Sequence, residues 1–186
     1  MNERMTERLG AKDWIAEGFR ALTEEGPSGL KAERLATRLK VSRGSFYWHF
    51  ENVGAFHTAL LEAWRRRETE SVIDRLAANE SASERILDLM RRAMRADHSL
   101  ERALRAWATE NSAAEAAIRE VDRRRTDYLE SQFGETGFSE EASSALARFV
   151  YWGHLGRTMT LDLARSDIDA EQIELIVKRL LENEGG

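Results

Sequence analysis

The sequence predicts an all-α protein with an N-terminal three-helix helix-turn-helix head and a C-terminal helical bundle that dimerises. Composition is the first reason. Ala, Leu, Glu and Arg dominate, Val and Ile are sparse, and Pro27 is the single proline, so helix is favoured almost everywhere and no stretch reads as a strand. Periodicity is the second. Apolar residues recur at i, i+3 and i+4 through segments separated by short Gly, Ser, Asn or Pro punctuation. The third is the stretch Leu30 to Phe50, which reads as a helix, a tight turn and a second short helix. The 186 residues suffice for a small domain, placed at 1–51, and a medium one, placed at 52–186.

Residues 1 to 10 are polar and read as an arm, with Arg4 and Arg8 able to brush a polyanion. Asp13 to Glu25 is the first helix, and Trp14, Ile15, Gly18, Phe19 and Leu22 form its apolar stripe. Gly26–Pro27–Ser28–Gly29 ends it, and Ser28 to Ala32 leads into the second helix. Leu35, Ala36 and Leu39 give that helix one apolar face, Val41 plugs the turn, and Ser42 is a good N-cap for the third helix. Phe46 and Phe50, four apart, can be buried together. The opposite face carries Arg43, Ser45, Tyr47, Trp48 and His49. A helix this short has little reason to expose Tyr, Trp and His unless that face meets something. Basic, hydroxyl and aromatic side chains suit phosphate oxygens, base edges and thymine methyls, which makes Arg43 to His49 a recognition helix. Lys31, near the start of the second helix, stands where a cation and free N–H groups can face one phosphate. The net charge of −5 does not argue against this. Lys31 to Phe50 holds five basic residues (Lys31, Arg34, Arg38, Lys40, Arg43) against one acid, Glu33, and a polyanion responds to the field within roughly 10 Å.

Glu51 to about Ser71 is a long fourth helix capped by Asn52, with Phe56, Leu60, Leu61 and Trp64 inward. Arg65, Arg66 and Arg67 read as a solvated or ion-paired face. Beyond a polar break at Ala77 to Ser83 come three more helices. Ser83 to Asp97 turns Ile86, Leu89, Met90, Ala93 and Met94 inward; Ser99 to Thr109 does so with Leu100, Ala103, Leu104 and Trp107; Ser112 to Phe133 does so with Ala114, Ala117, Ile118, Val121, Tyr128 and Leu129. The run Asp122 to Asp127, with Arg123 to Arg125, reads as surface ion pairs, and Gly134 and Gly137 end that helix. Ser139 to Ala164 is capped by Ser139, with two glutamates in its first turn where the dipole favours them. It is apolar on nearly every side, through Leu146, Phe149, Val150, Trp152, Leu155, Met159, Leu161 and Leu163 among others, so two fronts are buried. The second front is most easily supplied by another copy of the chain, and Gly153 and Gly156 would let its backbone approach. Asp169 to Glu182 closes the chain with the stripe Ile173, Ile176, Val177, Leu180 and Leu181. These two helices from each of two subunits would make a four-helix interface.

Nothing reads as catalytic. His49, His57, His98 and His154 lack a second ligand at metal spacing, no Gly-rich phosphate loop or GxSxG occurs, and there is no cysteine. No enzyme activity, metal or cofactor is expected. No apolar run approaches a membrane span, and the charged N-terminus lacks the apolar core of a signal peptide, so a cytoplasmic protein is expected.

The window Val41 to Asn52, VSRGSFYWHFEN, resembles the core motif of the tetracycline-repressor-like (TetR) transcriptional regulators, through Val41, Ser42, Gly44, Phe46, Tyr47, His49 and Phe50. The resemblance covers about the first sixty residues. It implies DNA contact by Lys31, Ser42, Arg43, Gly44, Ser45, Tyr47, Trp48 and His49, with Arg43 on a guanine edge or a phosphate, Tyr47 and His49 on phosphates, and Trp48 on a thymine methyl. The family commonly places a Lys about three residues after the His-Phe pair, against the DNA backbone; here that position is Val53. The resemblance also implies dimerisation through the last two helices and an effector cavity in the helical body. Trp64, Met90, Met94, Trp107, Tyr128, Phe149 and Trp152, with Asn111, would line it; these same residues can equally be ordinary core. His98 and His154 could add polar contacts. The expectation is a homodimeric repressor on a pseudo-palindromic double-stranded operator, released by a small apolar or amphipathic effector. The alternative is a dimeric helical module that binds a ligand or protein with weak or no operator binding.

Overall fold

The computed structural model describes residues 9–160 and 168–182, and every described element is helical. The N-terminal arm and residues 161–167, which include Leu161, Leu163 and Ala164 of the expected eighth helix, lie outside them. Helix α1 (Ala11–Glu25) starts two residues before Asp13, because Asp13 Oδ2 accepts from Gly10 N at 2.7 Å and so caps the first turn from inside it. A 3₁₀ turn at Gly26–Leu30 leads to α2 (Ala32–Leu39). Lys40 then adopts φ 57°, the left-handed conformation that lets the chain turn sharply, and Val41 N bonds back to Ala36 O at 3.0 Å. Helix α3 (Arg43–Tyr47) is shorter than the expected Arg43 to His49; Trp48 and His49 continue as a turn, with His49 N and Phe50 N both bonded to Phe46 O at 3.0 Å. Ser42 holds the N-cap position, but its hydroxyl makes no capping bond.

The head is held by an aromatic knot. Phe46 packs on Trp14, Phe50 and Phe56 with ring centroids 5.3 to 5.4 Å apart, and Phe50 lies 5.1 Å from Phe56. Such pairs add about 0.5–1.5 kcal/mol each to the burial itself. Gly18 makes room for it, since a Cβ there would stand 2.7 Å from Phe56 Cζ.

Helix α4 (Val53–Arg65) is capped as expected by Asn52, whose Oδ1 accepts from Ala55 N at 2.8 Å. It does not run uniformly onward: a π-helical turn, Arg66–Glu70, joins it to α5 (Ser71–Leu76). Helices α6 (Ala82–Arg95), α7 (Ser99–Ala108), α8 (Ser112–Glu135), α9 (Glu140–Met159) and α10 (Ala170–Leu181) complete the order. Ser81 and Asp169 build capping boxes, and Asn111 and Ser139 accept from the third residue of their helices. One core runs from the head into the body, joining Trp14, Phe56, Leu60 and Trp64 to Leu104, Trp107, Ile118 and Val121 of α7 and α8. A second core, with Ile86, Leu129, Phe133, Tyr151, Ile173 and Val177, ties α6, α8, α9 and α10. The head is therefore seated on α7 and α8, and a displacement of either is felt at α1 and α4.

Candidate functional site

Beyond the turn at Lys40, burial sorts the residues of α3 cleanly. Phe46 and Phe50 are sunk, while Ser42, Arg43, Gly44, Tyr47, Trp48 and His49 are exposed and Ser45 is half-buried. Trp48 is 84% exposed, an extreme value for the largest apolar side chain. Arg43 Nη2 donates to Tyr47 Oη at 3.3 Å, and that contact raises the guanidinium's pKa, so Arg43 stays a cation on this surface. Lys31 is exposed at the N-cap of α2.

The positive charge of the head is smaller than its sequence count. Arg38 turns back onto α1, bonding Glu17, Glu24 at 2.8 Å and Glu25 at 2.6 Å, and Arg34 pairs with Glu25 at 2.8 Å. Burial alone would raise the Glu17 pKa, yet Arg38 and Arg20 outweigh it and hold the carboxyl below its usual range. Of the five cations counted in Lys31 to Phe50, Lys31, Lys40 and Arg43 have no carboxylate partner among the described residues. Val53, half-buried against the core, offers no charge where a Lys was implied.

A cavity of about 760 Å³ lies in the body, between the end of α4, the π-helical turn and α5 to α10. Trp64, Met90, Met94, Tyr128, Phe149 and Trp152 line it, as expected. Trp107 and Asn111 do not. Trp107 is buried in the first core with its ring 4.9 Å from His57, and Asn111 spends its side chain capping α8. His98 and His154 reach the wall, together with Glu101, Arg125 and Tyr151.

These polar residues form a buried network that the sequence did not reveal. Glu101 accepts from Arg105 Nη2 at 2.8 Å and, through both oxygens, from Arg125 Nη1 at 3.1 Å, with His154 Nε2 at 3.8 Å. Arg105 also bonds Asp122 at 2.7 Å, and Tyr151 Oη donates to Asp122 Oδ1 at 2.7 Å. Burial pushes the Glu101 pKa up, but His154, Arg125 and Arg105 prevail, so it is held well below the carboxylate range. Burial lowers the His98 pKa, while its Nε2 donates to Ala93 O at 2.8 Å. Arg125 is the correction to the surface reading of the arginine run. Arg123 pairs outward with Glu120 and Arg124 reaches Glu70 at 3.7 Å, but Arg125 points inward. There it also donates to Glu68 O and Thr69 Oγ1 of the π-helical turn, both at 3.3 Å, and lies 5.9 Å from the Trp64 ring centre. The cavity wall is thus bonded to the segment that continues the head's fourth helix. Arg65 to Arg67 behave as expected, pairing with Glu62, Glu70 and Glu68.

His98, Glu101 and His154 place ligand atoms within 4.8 Å of one another, a grouping invisible in linear spacing. Their donor types suit a transition metal. Two guanidiniums already occupy the Glu101 oxygens, however, and would repel a divalent ion there.

Residues 15–53 match the family model described as bacterial regulatory proteins, tetR family. Over these residues, which span α1 to the start of α4, the head is similar to that family. Its sequence is also 46% identical over 59 residues to the class G tetracycline repressor protein of Vibrio anguillarum; the match takes in 31% of this chain and only 28% of that protein. The fold likeness extends further. The reduced form of E. coli NemR superposes with a TM-score of 0.74 at 21% identity, covering 91% of this chain and 95% of that one. A putative transcriptional regulator of Streptomyces coelicolor A3(2) gives 0.67 at 18% identity, covering 93% and 99%. At such identities the body shares an architecture with these regulators. The first core reaches from the head to the cavity, whose wall shares Trp64 with it.

Phe149 and Trp152, at the open edge of the cavity, are each more than half exposed, as are Met159 of α9 and Leu175 of α10, and a Cβ at Gly153 or Gly156 would meet nothing within 4 Å. In the single chain this apolar face is uncovered, as the all-round pattern of the eighth helix requires. Among the described residues no helix is long and apolar enough to cross a membrane.

Proposed function

We propose that the chain is a homodimeric DNA-binding transcriptional repressor, acting in the cytoplasm. The observation that carries this reading is the exposed face of α3: Arg43, Tyr47, Trp48 and His49 project while Phe46 and Phe50 anchor them from behind. Arg43 reads a guanine edge or grips a phosphate, Tyr47 and His49 hold the backbone, and Trp48 lies against a thymine methyl, with Lys31, Ser42, Gly44 and Ser45 close to the duplex. The uncovered apolar face of α9 and α10 pairs two chains, so that two heads meet successive major grooves of a pseudo-palindromic operator. A small apolar or amphipathic effector fills the cavity and shifts the heads through the bonds from Arg125 to the π-helical turn. That release requires the effector to bind one head arrangement better than the other.

The test is selection of a preferred duplex from a random pool, then titration of that duplex and a scrambled one with the parent, Tyr47→Ala and Trp48→Ala at several salt concentrations. Loss of about 1–3 kcal/mol on the selected duplex alone marks a base-reading side chain. Unchanged binding in both variants refutes the recognition surface.

A second reading is favoured by Val53 and by the neutralised Arg34 and Arg38: a dimeric helical module for a ligand or protein, with weak or no operator binding. Failure of the parent to enrich any duplex selects it.

A further inference from the structure

We propose that the occupant of the cavity, on the effector reading above, is an uncharged amphipath that brings both a hydrogen-bond acceptor and a donor, received by Tyr128 Oη and His154 Nδ1.

The exclusion of charge comes from saturation. Deep in the wall, Arg125 is paired with Glu101; half-buried Arg157 donates to Met94 O, and exposed Asp97 accepts from Ser99 N and Oγ at 2.9 Å. At the rim, Arg67 is paired with Glu68 at 2.6 Å and Arg92 with Asp88 at 3.0 Å. Among the described residues, each charged side chain lining the cavity already has a protein partner. A carboxylate or ammonium entering it would either stay unpaired in an apolar enclosure or break one of these pairs, and both are costly.

The polar anchors come from what is left unsatisfied. Tyr128 Oη and His154 Nδ1 belong to wall residues, are shielded from water, and have no hydrogen-bond partner. Buried polar atoms left in this state are uncommon and call for a partner. Tyr128 offers its O–H, which asks for an acceptor. His154 turns Nε2 toward the Glu101 carboxylate at 3.8 Å, which favours the ring proton on that side and leaves a lone pair on Nδ1 that asks for a donor. Because both atoms are covered as the wall stands, the occupant reaches them as the two rings turn slightly toward it. The rest of the occupant meets Trp64, Met90, Met94 and Phe149, which suit an aromatic or aliphatic body.

The experiment is isothermal titration of the full chain near neutral pH with four probes sharing a butyl-aryl skeleton. They are butyl 4-hydroxybenzoate (uncharged, with a hydroxyl and an ester carbonyl), 4-butoxybenzoate (anionic), 4-butylbenzylamine (cationic) and butylbenzene (no polar group). The uncharged ester is expected to bind at least about tenfold more tightly than either charged probe, the least that one broken ion pair would cost. In Tyr128→Phe and in His154→Phe, its affinity falls about five- to tenfold, the worth of one hydrogen bond, while butylbenzene stays within about twofold. Tighter binding of either charged probe, or an ester no better than butylbenzene, overturns the proposal and leaves the effector cavity standing. Equal loss of butylbenzene in the variants also overturns it, since the rings would then matter for packing alone. If none of the four probes binds, the effector reading falls and the proposal with it.

Discussion

Arg125→Met tests whether the buried network holds the head to the body. The substitution keeps most of the side-chain volume but deletes the bonds to Glu101, Glu68 O and Thr69 Oγ1. Removing one partner of a buried ion pair costs about 3–5 kcal/mol, chiefly because the other charge is stranded. Glu101 is not wholly stranded here, since Arg105 still donates to it at 2.8 Å, so that part falls to about 2 kcal/mol. The two bonds to neutral acceptors on the π-helical turn add about 0.5–1.5 kcal/mol each. The expected loss is near 4 kcal/mol, a large fraction of the roughly 5–15 kcal/mol that holds a domain together. Urea unfolding at one fixed protein concentration, monitored by tryptophan fluorescence, measures it; an unchanged m value shows that the same transition is compared. Glu101→Gln and the double variant complete the cycle, with a coupling of about 1–3 kcal/mol expected between the pair. A loss below about 1 kcal/mol for Arg125→Met, or additivity within about 0.5 kcal/mol, refutes the network as the tie.

Four further outcomes are expected. Gly18→Ala drives a methyl against the Phe56 ring at 2.7 Å; overpacking of about 1–3 kcal/mol exceeds the roughly 1 kcal/mol that alanine contributes to a helix, so the melting temperature should fall, and a rise would show that the aromatic knot yields. Trp152→Asp with Phe149→Asp should convert a dimer to a monomer in light scattering after gel filtration, and an unchanged mass would place the interface elsewhere. Arg43→Ala should flatten the log–log salt dependence of duplex binding by about 0.9 if Arg43 touches a phosphate, and leave the slope unchanged if it reads a base. Stability should fall with acid in two steps. The folded pKa of His98 is lowered by burial, so below its ordinary 6.5 the unfolded chain takes up the proton first and folding weakens. Glu101, held below its ordinary 4.5, contributes stability above that value and loses it as pH falls further. Glu101→Gln should shrink the lower step in urea midpoints measured against pH, leaving the part that Glu17 contributes, while the upper step persists.

Much of the fold was legible because helix formation is a local matter. Each stripe of apolar residues named an inward face, and Asn52 and Ser139 mark helix starts because a cap needs only amides two or three residues away. The exposed face that follows Ser42 was legible for the same reason: Phe46 and Phe50 lie four apart, and the residues between them have nowhere to go but outward. Where a local rule failed, the cause was equally local. Asp13 caps from within the first turn of α1, and Trp48 and His49 leave the helix as the chain turns toward Asn52.

By itself, then, the sequence determined the all-helical class, the order of the elements, the buried side of each one and the surface of the head that stays exposed. All of these come from spacing along one axis and from bonds between near neighbours. Only the tertiary structure decided which helix faces which. Arg38 stands 21 residues from Glu17 and Arg125 stands 24 from Glu101, so their pairing depends on how helices cross. Periodicity places a side chain around its own helix but says nothing of what lies opposite. For that reason one arginine of a surface-like run became the floor of a cavity, a cation of the head was spent on its own acids, and Trp107 and Asn111 went to core and cap.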